Sequence, residues 1–578
     1  MPRTRILALL LAALAVLSLV LACAPADADA PSADEPSPIR VGRSMVATEY
    51  GIVAASQPLA ARAGVSVLER GGNAVDAAIA ANAAIGLMEP TGNGIGGDLF
   101  AIVYMAETDT LYGINASGWS PTALSAQVLK DKGYEEMPAR DIHAVTVPGA
   151  VAGWVALNGK LGKLPLSDVL APAIHYAENG FPVSEVISAG WARSKKMLSG
   201  HPNAAETFLI DGETPAAGQI FKNPDLGATL RGIAKNGKAG FYEGSVAQAI
   251  VDISQEEGGL LTAEDLAEFE AEWVEPITSD YRGWTVAEIG PNTQGIAALM
   301  MLNLMENHPL RDYGLHSADA LHVMVESKKL AYADMLEYVG DSRFSDVPVK
   351  DMLDKAHAKE RAQLIDMAQA ACEVTPSEFS AITEKEGGDT IYLSAVDKDG
   401  NIVSLIQSNY MGFGSGFVPK GTGFMLHNRG ALFTLEEGHA NTLEPRKRPL
   451  HTIIPAMMWS GEQRIGFGIM GGWNQSQAHA QFVANVVDYD MTIQEALEAG
   501  RFTKGTFDGC DVRMEVLISQ SVRAELTSRG HEIDPVAPRT GGFGFGQAVM
   551  TDGTTTKRGA SEPRHDGAAI PQQPNVFE

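Results

Sequence analysis

Apolar residues recur at helical spacing in the first part of the chain and in strand-like runs further on. Residues 58–68 are rich in Ala, Leu and Val, and they predict a helix that Ser56 caps and that Gly71-Gly72 ends. Asn73 can cap a second helix, which we predict over residues 74–87. Two adjacent helices therefore open the folded part of the chain.

Strand patterns appear in two regions. Residues 99–104 and 111–115 predict a strand pair, and residues 150–371 are then mainly helical, including 263–269 and 318–336. After Gly387-Gly388 the runs become rich in β-forming residues. They predict strands over Thr390–Val396, Ile402–Ser408, Ile453–Trp459 and Arg464–Ile469, and a helix over His479–Val487. Because strands and helices are segregated, the pattern predicts an α+β fold rather than alternating βαβ units.

The N-terminal segment is typical of an export signal. Arg3 and Arg5 precede an apolar run over residues 6–22, and Val20–Cys23 resembles a bacterial lipobox, in which the cysteine is lipidated. We therefore predict a signal peptide over residues 1–22, a lipidated Cys23 on a flexible tether over residues 23–44, and a periplasmic or cell-surface lipoprotein. A plain signal peptide and an uncleaved anchor are the alternatives.

The net charge of the chain excludes some classes of binding partner. The chain has 44 Lys and Arg against 71 Asp and Glu, for a formal net charge of -27. Such a surface repels nucleic acid and anionic membranes, so we expect no nucleic-acid partner and membrane contact only through a lipid anchor. Cys372 and Cys510 are the cysteines beyond Cys23. Two cysteines are no disulfide framework, and the sequence leaves their pairing open.

Several standard catalytic motifs are absent or misplaced. Residues 92–97 match the dinucleotide-binding glycine pattern, but a predicted helix precedes them and a strand follows, the reverse of what that site requires. There is no Walker lysine, no His-Glu-x-x-His and no Gly-x-Ser-x-Gly, and the 13 histidines show no metal-ligand spacing. We therefore expect neither a cofactor nor a metal.

A series of short motifs instead resembles the γ-glutamyltranspeptidase family. The matches follow one another in order from about residue 45 nearly to Gly567. They are Gly71–Ala78, Glu89-Pro90, Gly94–Gly97, Val147–Gly149, Gly258–Thr262, Tyr281–Gly283, Asp397–Asn401, Lys447–Pro449 and Gly471-Gly472.

The resemblance implies a four-layer αββα N-terminal-nucleophile hydrolase fold and a precursor that cuts its own chain. The cleavage site would be Asp389-Thr390, giving a large subunit over residues 45–389 and a small subunit over residues 390–578. The Thr390 hydroxyl would attack the Asp389 carbonyl. The α-amine that is then released has an intrinsic pKa of about 7.7–8, so it can act as the base for Thr390.

The resemblance also implies the roles of other residues. Ser408 lies at the position of the hydroxyl that orients the nucleophile, and Gly471 and Gly472 would stabilise the oxyanion through backbone N–H groups.

The substrate-binding residues of the family's transferases are replaced here. Residues 115–121 contain no arginine to hold the substrate α-carboxylate. Tyr410 stands where the family has an asparagine, and His451 and Thr452 stand where it has paired serines. Arg429 can supply a substitute contact for an anion. These replacements make glutathione a doubtful substrate, and they resemble the transpeptidase-like branch, which is linked to acylase and small amidohydrolase activities.

We therefore expect an amidohydrolase or acyltransferase that cleaves γ-glutamyl or related small amides through an acyl-enzyme. The acceptor would be water or an amine, and the partners would be the two subunits of one precursor. A cephalosporin-acylase-like or oxamate-type amidohydrolase without transferase activity is the first alternative. A non-catalytic envelope binding protein with an uncut chain is the second.

Overall fold

Two large antiparallel sheets form the centre of the computed structural model, which describes residues 42–377, 389–538, 542–574 and 576. The predicted signal peptide, Cys23, almost all of the predicted tether and Gly387-Gly388 lie outside the described residues. Sheet I has the strand order β19-β2-β10-β11-β3-β4-β7, and sheet II has the order β1-β18-β17-β13-β12-β9-β8. The strands are β1 Val46–Thr48, β2 Ile52–Ala55, β3 Asp98–Met105, β4 Thr110–Ala116, β5 Phe181–Pro182, β6 Ile220–Phe221, β7 Glu272–Val274, β8 Ile277–Tyr281, β9 Trp284–Glu288, β10 Asp389–Val396, β11 Ile402–Tyr410, β12 Ala456–Ser460, β13 Gln463–Ile469, β14 Phe502–Thr503, β15 Asp511–Glu515, β16 Glu532–Val536, β17 Gly546–Thr551, β18 Lys557–Ser561 and β19 Ala568–Pro571.

Helices make up much of the rest of the described chain. They are α1 Pro58–Glu69, α2 Ala74–Met88, α3 Ala126–Asp131, α4 Ala150–Leu161, α5 Leu166–Asn179, α6 Glu185–Arg193, α7 Lys195–Gly200, α8 Pro202–Phe208, α9 Pro224–Asn236, α10 Ala239–Tyr242, α11 Gly244–Glu256, α12 Ala263–Ala267, α13 Gly295–Met305, α14 Leu310–Tyr313, α15 Ala318–Tyr338, α16 Val349–Met352, α17 Lys355–Ala362, α18 Asn474–Val487, α19 Ile493–Glu498 and α20 Gln520–Ser528.

The order of layers is helix, sheet, sheet, helix. Helices α1 and α2 pack on sheet I, helices α13 and α18 pack on sheet II, and strands β10 and β11 pack against β13 of the other sheet. Every residue of β11 is buried, because this strand is covered on both faces. The predicted α+β fold with four αββα layers is confirmed.

The helix and strand predictions were correct in position for most elements but wrong at several boundaries. Gln57, not Ser56, caps α1, and Ser56 instead donates to Glu89. Asn73 caps α2 as predicted. Strands β7, β8 and β9 lie in the region that we predicted to be mainly helical. Helix α18 begins at Asn474 rather than His479, directly after the glycine pair, and this boundary matters for the active site.

Covalent and long-range contacts join distant parts of the chain. From Arg43 onward the protein forms one compact unit. Cys372 and Cys510, whose pairing the sequence leaves open, form a disulfide with a Cα–Cα distance of 4.7 Å. None of the helices in the described part of the chain has the length and apolar character needed to span a bilayer.

Candidate active site

Thr390 lies at an irregularity where two central strands of sheet I pair. Asp389 pairs with Tyr410 and Ile391 with Gln407, so the register shifts at Thr390. Bulges of this kind aim a side chain out of the regular ladder. The Thr390 hydroxyl, buried at 2% exposure, donates to the Ser408 hydroxyl at 3.2 Å. The chain is continuous through Asp389 and Thr390, so this is the geometry of the uncut precursor.

Ser408 is held by the end of its own strand. Its hydroxyl oxygen also accepts from the Tyr410 N–H at 2.8 Å, which ties the hydroxyl to the turn after β11. Tyr410 has φ of 75°, an unusual backbone conformation for a bulky residue. The turn therefore places the Ser408 hydroxyl beside Thr390, as the resemblance implies.

We expect Ser408→Ala to slow both the cut and substrate turnover by roughly 10–100-fold, because a hydrogen bond to a reacting hydroxyl contributes about 1.5–3 kcal/mol. Ser408→Thr keeps the hydroxyl and should retain most of both activities. The rate of appearance of fragments on denaturing gels and kcat measure the two effects. Equal rates for the Ala and Thr variants would contradict the role of this hydroxyl.

Packing between the sheets places β13 alongside β10, the strand that carries Thr390. Gly466 lies against Ile402, and Gly468 lies against the ring of Tyr392. A side chain larger than hydrogen at Gly468 would meet that ring at 2.4 Å. Ile402 pairs with Val396, so β13 advances towards the start of β10 as its residue numbers rise. The chain beyond Gly468 therefore continues towards the end of β10 that carries Thr390.

The glycine pair lies directly after this point. Gly471 and Gly472 have φ of 128° and 58°, and the 14-residue helix α18 begins at Asn474. Within the described part of the chain, no acceptor is paired with the backbone N–H of either glycine. Helix N-termini favour negative charge, so this turn offers two N–H donors to an oxyanion. Helix α18 has no side-chain cap that would compete for this end.

Gln294, which the sequence analysis missed, holds the glycine turn from behind. Its side-chain amide donates to the carbonyl of Gly472 at 2.8 Å and to the carbonyl of Thr452. The Tyr332 hydroxyl donates to the carbonyl of Trp473, the next residue along. With these carbonyls engaged, the orientation of the turn is fixed before any substrate arrives.

A buried charged cluster lies beside Ser408. Asp98, whose Cα pairs with that of Ser408, contacts His427 Nδ1 at 3.1 Å, His451 Nε2 at 2.9 Å and Arg429 Nε at 3.5 Å. All four side chains have 0% exposure. We call Asp98, His427, Arg429 and His451 the Asp98 cluster. The sequence analysis missed Asp98, whose signal was a carboxylate at the start of an otherwise apolar strand.

Burial sets the charges in this cluster. It lowers the pKa of His451 to about 3, so this imidazole is neutral and donates its Nε2–H to Asp98. Burial also lowers the pKa of Arg429, to about 10, against the opposing effect of Asp98, so the guanidinium stays charged at neutral pH. Burial alone would raise the pKa of Asp98, but His427 and His451 hold it well below its usual value. The cluster thus contains a buried carboxylate and a buried guanidinium.

The four predicted substrate-binding residues come together at this cluster. Arg429 donates to the Thr452 hydroxyl at 2.7 Å, and its guanidinium lies 4.6 Å from the centre of the Tyr410 ring. Among the described residues, no partner is paired with Arg429 Nη2. Arg429 is therefore not the surface arginine that its residue type would suggest. Its role in binding an anion, and those of Tyr410, His451 and Thr452, stay predictions.

Three potential metal ligands converge elsewhere, contrary to the expectation from histidine spacing. Atoms of His322, Glu326 and His531 lie within 4.8 Å of one another. However, Lys329 donates to Glu326 at 2.7 Å, and the two histidine rings are hydrogen-bonded to each other at 2.8 Å. The Lys329 ammonium group already neutralises the Glu326 carboxylate, so these contacts are those of a structural network.

Comparison with known proteins places this geometry in context. The family model described as Gamma-glutamyltranspeptidase matches residues 60–572. The chain belongs to the γ-glutamyltranspeptidase family. It is 36% identical to the glutathione hydrolase-like YwrD proenzyme of Bacillus subtilis, over 92% of this chain and 100% of that protein. It is 32% identical to the oxamate amidohydrolase proenzyme of Klebsiella pneumoniae, over 90% and 98% of the two chains.

A solved structure agrees closely with the fold. The crystal structure of cephalosporin acylase from Bacillus halodurans superposes with a TM-score of 0.87 and 39% identity, and the match covers 95% of this chain and 100% of that one. The chain is thus an enzyme of the γ-glutamyltranspeptidase family with hydrolase or acyltransferase chemistry.

A cavity of about 390 Å³ in this γ-glutamyltranspeptidase-family enzyme is lined in part by neighbours in sequence of the candidate site residues. Its apolar wall includes Leu432, Leu450, Trp473 and Phe507. Each of the first three lies close in sequence to a site residue, because Leu432 follows Arg429, Leu450 precedes His451 and Trp473 follows Gly472. The rings of Trp473 and Phe507 meet edge to face with centroids 5.3 Å apart. Acidic side chains, including Glu136 and Glu436, also line the cavity.

Proposed function

We propose that the precursor cuts itself between Asp389 and Thr390, and that Thr390 is then the N-terminal nucleophile of a small-molecule amidohydrolase. The observation that carries this proposal is the contact of the Thr390 hydroxyl with Ser408 at a strand irregularity. The glycine turn after β13 supplies two N–H donors that have no acceptor in the described part of the chain. Nucleophile, orienting hydroxyl and oxyanion donors are the parts that acyl transfer requires.

The cut proceeds in two steps. The Thr390 hydroxyl attacks the Asp389 carbonyl, and the peptide nitrogen leaves as the Thr390 amine while an ester forms on the Thr390 oxygen. Water then hydrolyses that ester, so the Asp389 carboxyl gains the water oxygen and Thr390 regains its hydroxyl. The same donors that stabilise this oxyanion are available for the amide substrate that follows.

Turnover repeats this chemistry on a bound amide. The new α-amine accepts the Thr390 hydroxyl proton during the attack and returns it to the leaving amine. Gly471 and Gly472 stabilise the tetrahedral oxyanion, and Ser408 orients the nucleophile. Water, or an amine where one is bound, then releases the acyl group from Thr390.

The substrate is an amide whose acyl part carries an anionic group. Arg429, which contacts Thr452 and Tyr410, belongs to the cluster beside Ser408, and its Nη2 donor has no partner in the described part of the chain. Residues 115–121 supply no second arginine, and Asn115 and Ser117 are engaged with Asn292. A free α-amino acid needs one binding group for its carboxylate and another for its ammonium group. Here the single buried Arg429 is available, and it can bind only the carboxylate.

The cavity favours an acylase-like specificity over γ-glutamyl transfer. Leu432, Leu450 and Trp473 accommodate an apolar spacer, and this is the basis of the preference. Glu136 and Glu436 line the same cavity and can attract a substrate ammonium group, so the substrate panel below decides between the two specificities. The relatives named acylase and oxamate amidohydrolase are consistent with this specificity. The volume of about 390 Å³ exceeds what a two-carbon oxamate requires, so a longer acyl group is the better fit.

The export signal belongs to the same proposal. The lipobox-like Val20–Cys23 supports export, followed by lipidation of Cys23. An exported enzyme would meet its amide substrates outside the cytoplasm.

The test combines chain mapping with a substrate panel. N-terminal sequencing of purified protein should give Thr390 as the first residue of the smaller fragment. Hydrolysis of glutaryl, γ-glutamyl and oxamyl anilides should be fastest for the glutaryl compound, which has the carboxylate but lacks the ammonium group. An uncut chain that still hydrolyses amides would refute the mechanism. A preference for the γ-glutamyl compound would refute only the specificity.

The pH dependence should report the freed amine. The amine must be neutral to accept a proton, so kcat/KM should rise roughly tenfold per pH unit below its pKa, intrinsically about 7.7–8, and level off above it. His451, with a pKa of about 3, should not contribute. Rates of wild type and His451→Gln over about pH 5–9 test this. A curve that shifts with the variant would assign the titration to His451 instead.

A further inference from the structure

The disulfide spans the proposed cut. Cys372 and Cys510 are separated by 138 residues, and the Asp389–Thr390 bond lies between them. Cys372 belongs to the predicted large subunit and Cys510 to the small one. We infer that this disulfide becomes a covalent link between the two subunits of the processed enzyme. The inference rests on the proposed cleavage, and it goes beyond it in assigning how the products stay joined.

Backbone hydrogen bonds hold both cysteines in place for this link. The Gly509 N–H donates to the Cys372 carbonyl at 2.9 Å, and the Glu532 N–H donates to the Cys510 carbonyl at 2.8 Å. Next to Cys372, the Ala371 carbonyl accepts from Lys329 at 2.8 Å, and the Ala371 N–H donates to Glu326 at 3.2 Å. The segment that carries Cys372 is therefore bound to helix α15 on one side and to the small-subunit loop on the other.

The link lies close to the substrate cavity. Cys510 ends a loop that begins at Lys504 and contains Phe507, one of the three aromatic residues of the cavity wall. The Lys504 ammonium donates to the carbonyl of Asp508 at 2.6 Å and to Asp511 at 2.8 Å, which closes the loop on itself. The disulfide thus anchors the new C-terminal region of the large subunit to the loop that positions Phe507.

The redox balance is simple. When the bond forms, the two cysteine thiols lose two protons and two electrons to a disulfide oxidant in the compartment to which the protein is exported. A dithiol reductant returns both and becomes a disulfide itself. Cys510 is buried at 3% exposure, whereas Cys372 is exposed, so a reductant reaches the bond from the large-subunit side.

Covalent linkage changes how the processed enzyme unfolds. Strands of both predicted subunits alternate within sheet I, as β2, β10, β11 and β3 are neighbours, so the folded pieces stay together without the bond. Unfolding of an unlinked pair releases two chains, and its melting temperature therefore falls on dilution. Unfolding of a linked pair releases one molecule, and its melting temperature does not depend on concentration. The disulfide should remove that dependence.

Denaturing gels of purified protein, run with and without reductant, test the link. One band without reductant and two bands with it would support the inference. Two bands in both lanes would overturn the link and leave the proposed cleavage intact. One band in both lanes would refute cleavage at Asp389–Thr390, and the intersubunit link with it. Cys372→Ser, Cys510→Ser and the double variant should each give two bands in both lanes.

Melting provides a second measurement that does not depend on gels. In wild type, the midpoint should stay constant on hundredfold dilution, whereas in the double Cys372→Ser/Cys510→Ser variant it should fall by several degrees. Thr390→Ala combined with the same double variant is the matched control, because its uncut chain should again melt independently of concentration. A concentration-dependent midpoint in wild type, once cleavage is verified by N-terminal sequencing, would overturn the inference.

Discussion

Thr390→Ala should leave the chain uncut and lower amide hydrolysis by roughly 10⁴-fold or more, the scale seen when a covalent nucleophile is removed. The alanine has neither the hydroxyl that attacks Asp389 nor the hydroxyl that forms the acyl-enzyme, so one change removes both activities. A single full-length band on a reducing gel and the loss of kcat would show this result together.

Thr390→Ser is the matched control for this variant. Serine keeps the hydroxyl within reach of Ser408, so cutting and turnover should persist, although the lost methyl group can change their rates. The thermal midpoint of the alanine variant should show that it is folded. Normal fragments in that variant would exclude Thr390 as the nucleophile of the cut.

Asp98→Asn should destabilise the protein by about 3–5 kcal/mol, because it leaves the buried charge of Arg429 without its carboxylate. We would make the change in the Thr390→Ala background, so that every molecule is an uncut chain. Urea denaturation monitored by tryptophan fluorescence would measure the difference in the free energy of unfolding.

Arg429, the partner of Asp98 in this ion pair, supplies the control. Adding Arg429→Met to Asp98→Asn removes both charges, and the double variant should recover much of the lost stability. If the effects of Asp98→Asn alone and Arg429→Met alone on the free energy of unfolding simply added in the double variant, Asp98 and Arg429 would not interact in the way that their 3.5 Å contact implies.

The pH dependence of stability should follow the protonation of Asp98. The pKa of Asp98 in the folded protein lies well below its value of about 3.9 in the unfolded chain. Its contribution is therefore complete at neutral pH, and it is lost only as the pH falls below about 4 towards the folded pKa. The wild-type and Asp98→Asn curves should converge in that range.

Much of the site was predictable because it lies in short, ordered stretches of sequence. Thr390 lies at the start of β10, where the sequence changes from helical to β-rich. Ser408 lies near the end of β11, and Gly471-Gly472 follow β13. Local alternation and turns predicted the strands, and the resemblance of the surrounding motifs to the γ-glutamyltranspeptidase family implied the roles of these residues. The helix after the glycine pair was placed five residues too late, because its first turn is polar yet buried.

Asp98, Gln294 and the charged cluster could not be predicted in this way. Asp98 lies in β3, far in sequence from Arg429 and His451, which lie outside the two large sheets and contact Asp98 only in the folded chain. Gln294 has no feature in its own segment that marks it as the support of the glycine turn. Contacts of this kind depend on packing between sheets, which local patterns do not encode.

The sequence by itself determined the α+β class, the family and the positions of the candidate nucleophile and its helpers, since these follow from periodicity and from contiguous motifs. Tertiary structure alone decided that Arg429 is a buried partner of Asp98, that two distant cysteines form a bond, and that apolar and acidic side chains share one cavity. The physical reason is that burial and pairing depend on which surfaces meet, and in this fold the surfaces that meet come from segments far apart in the sequence.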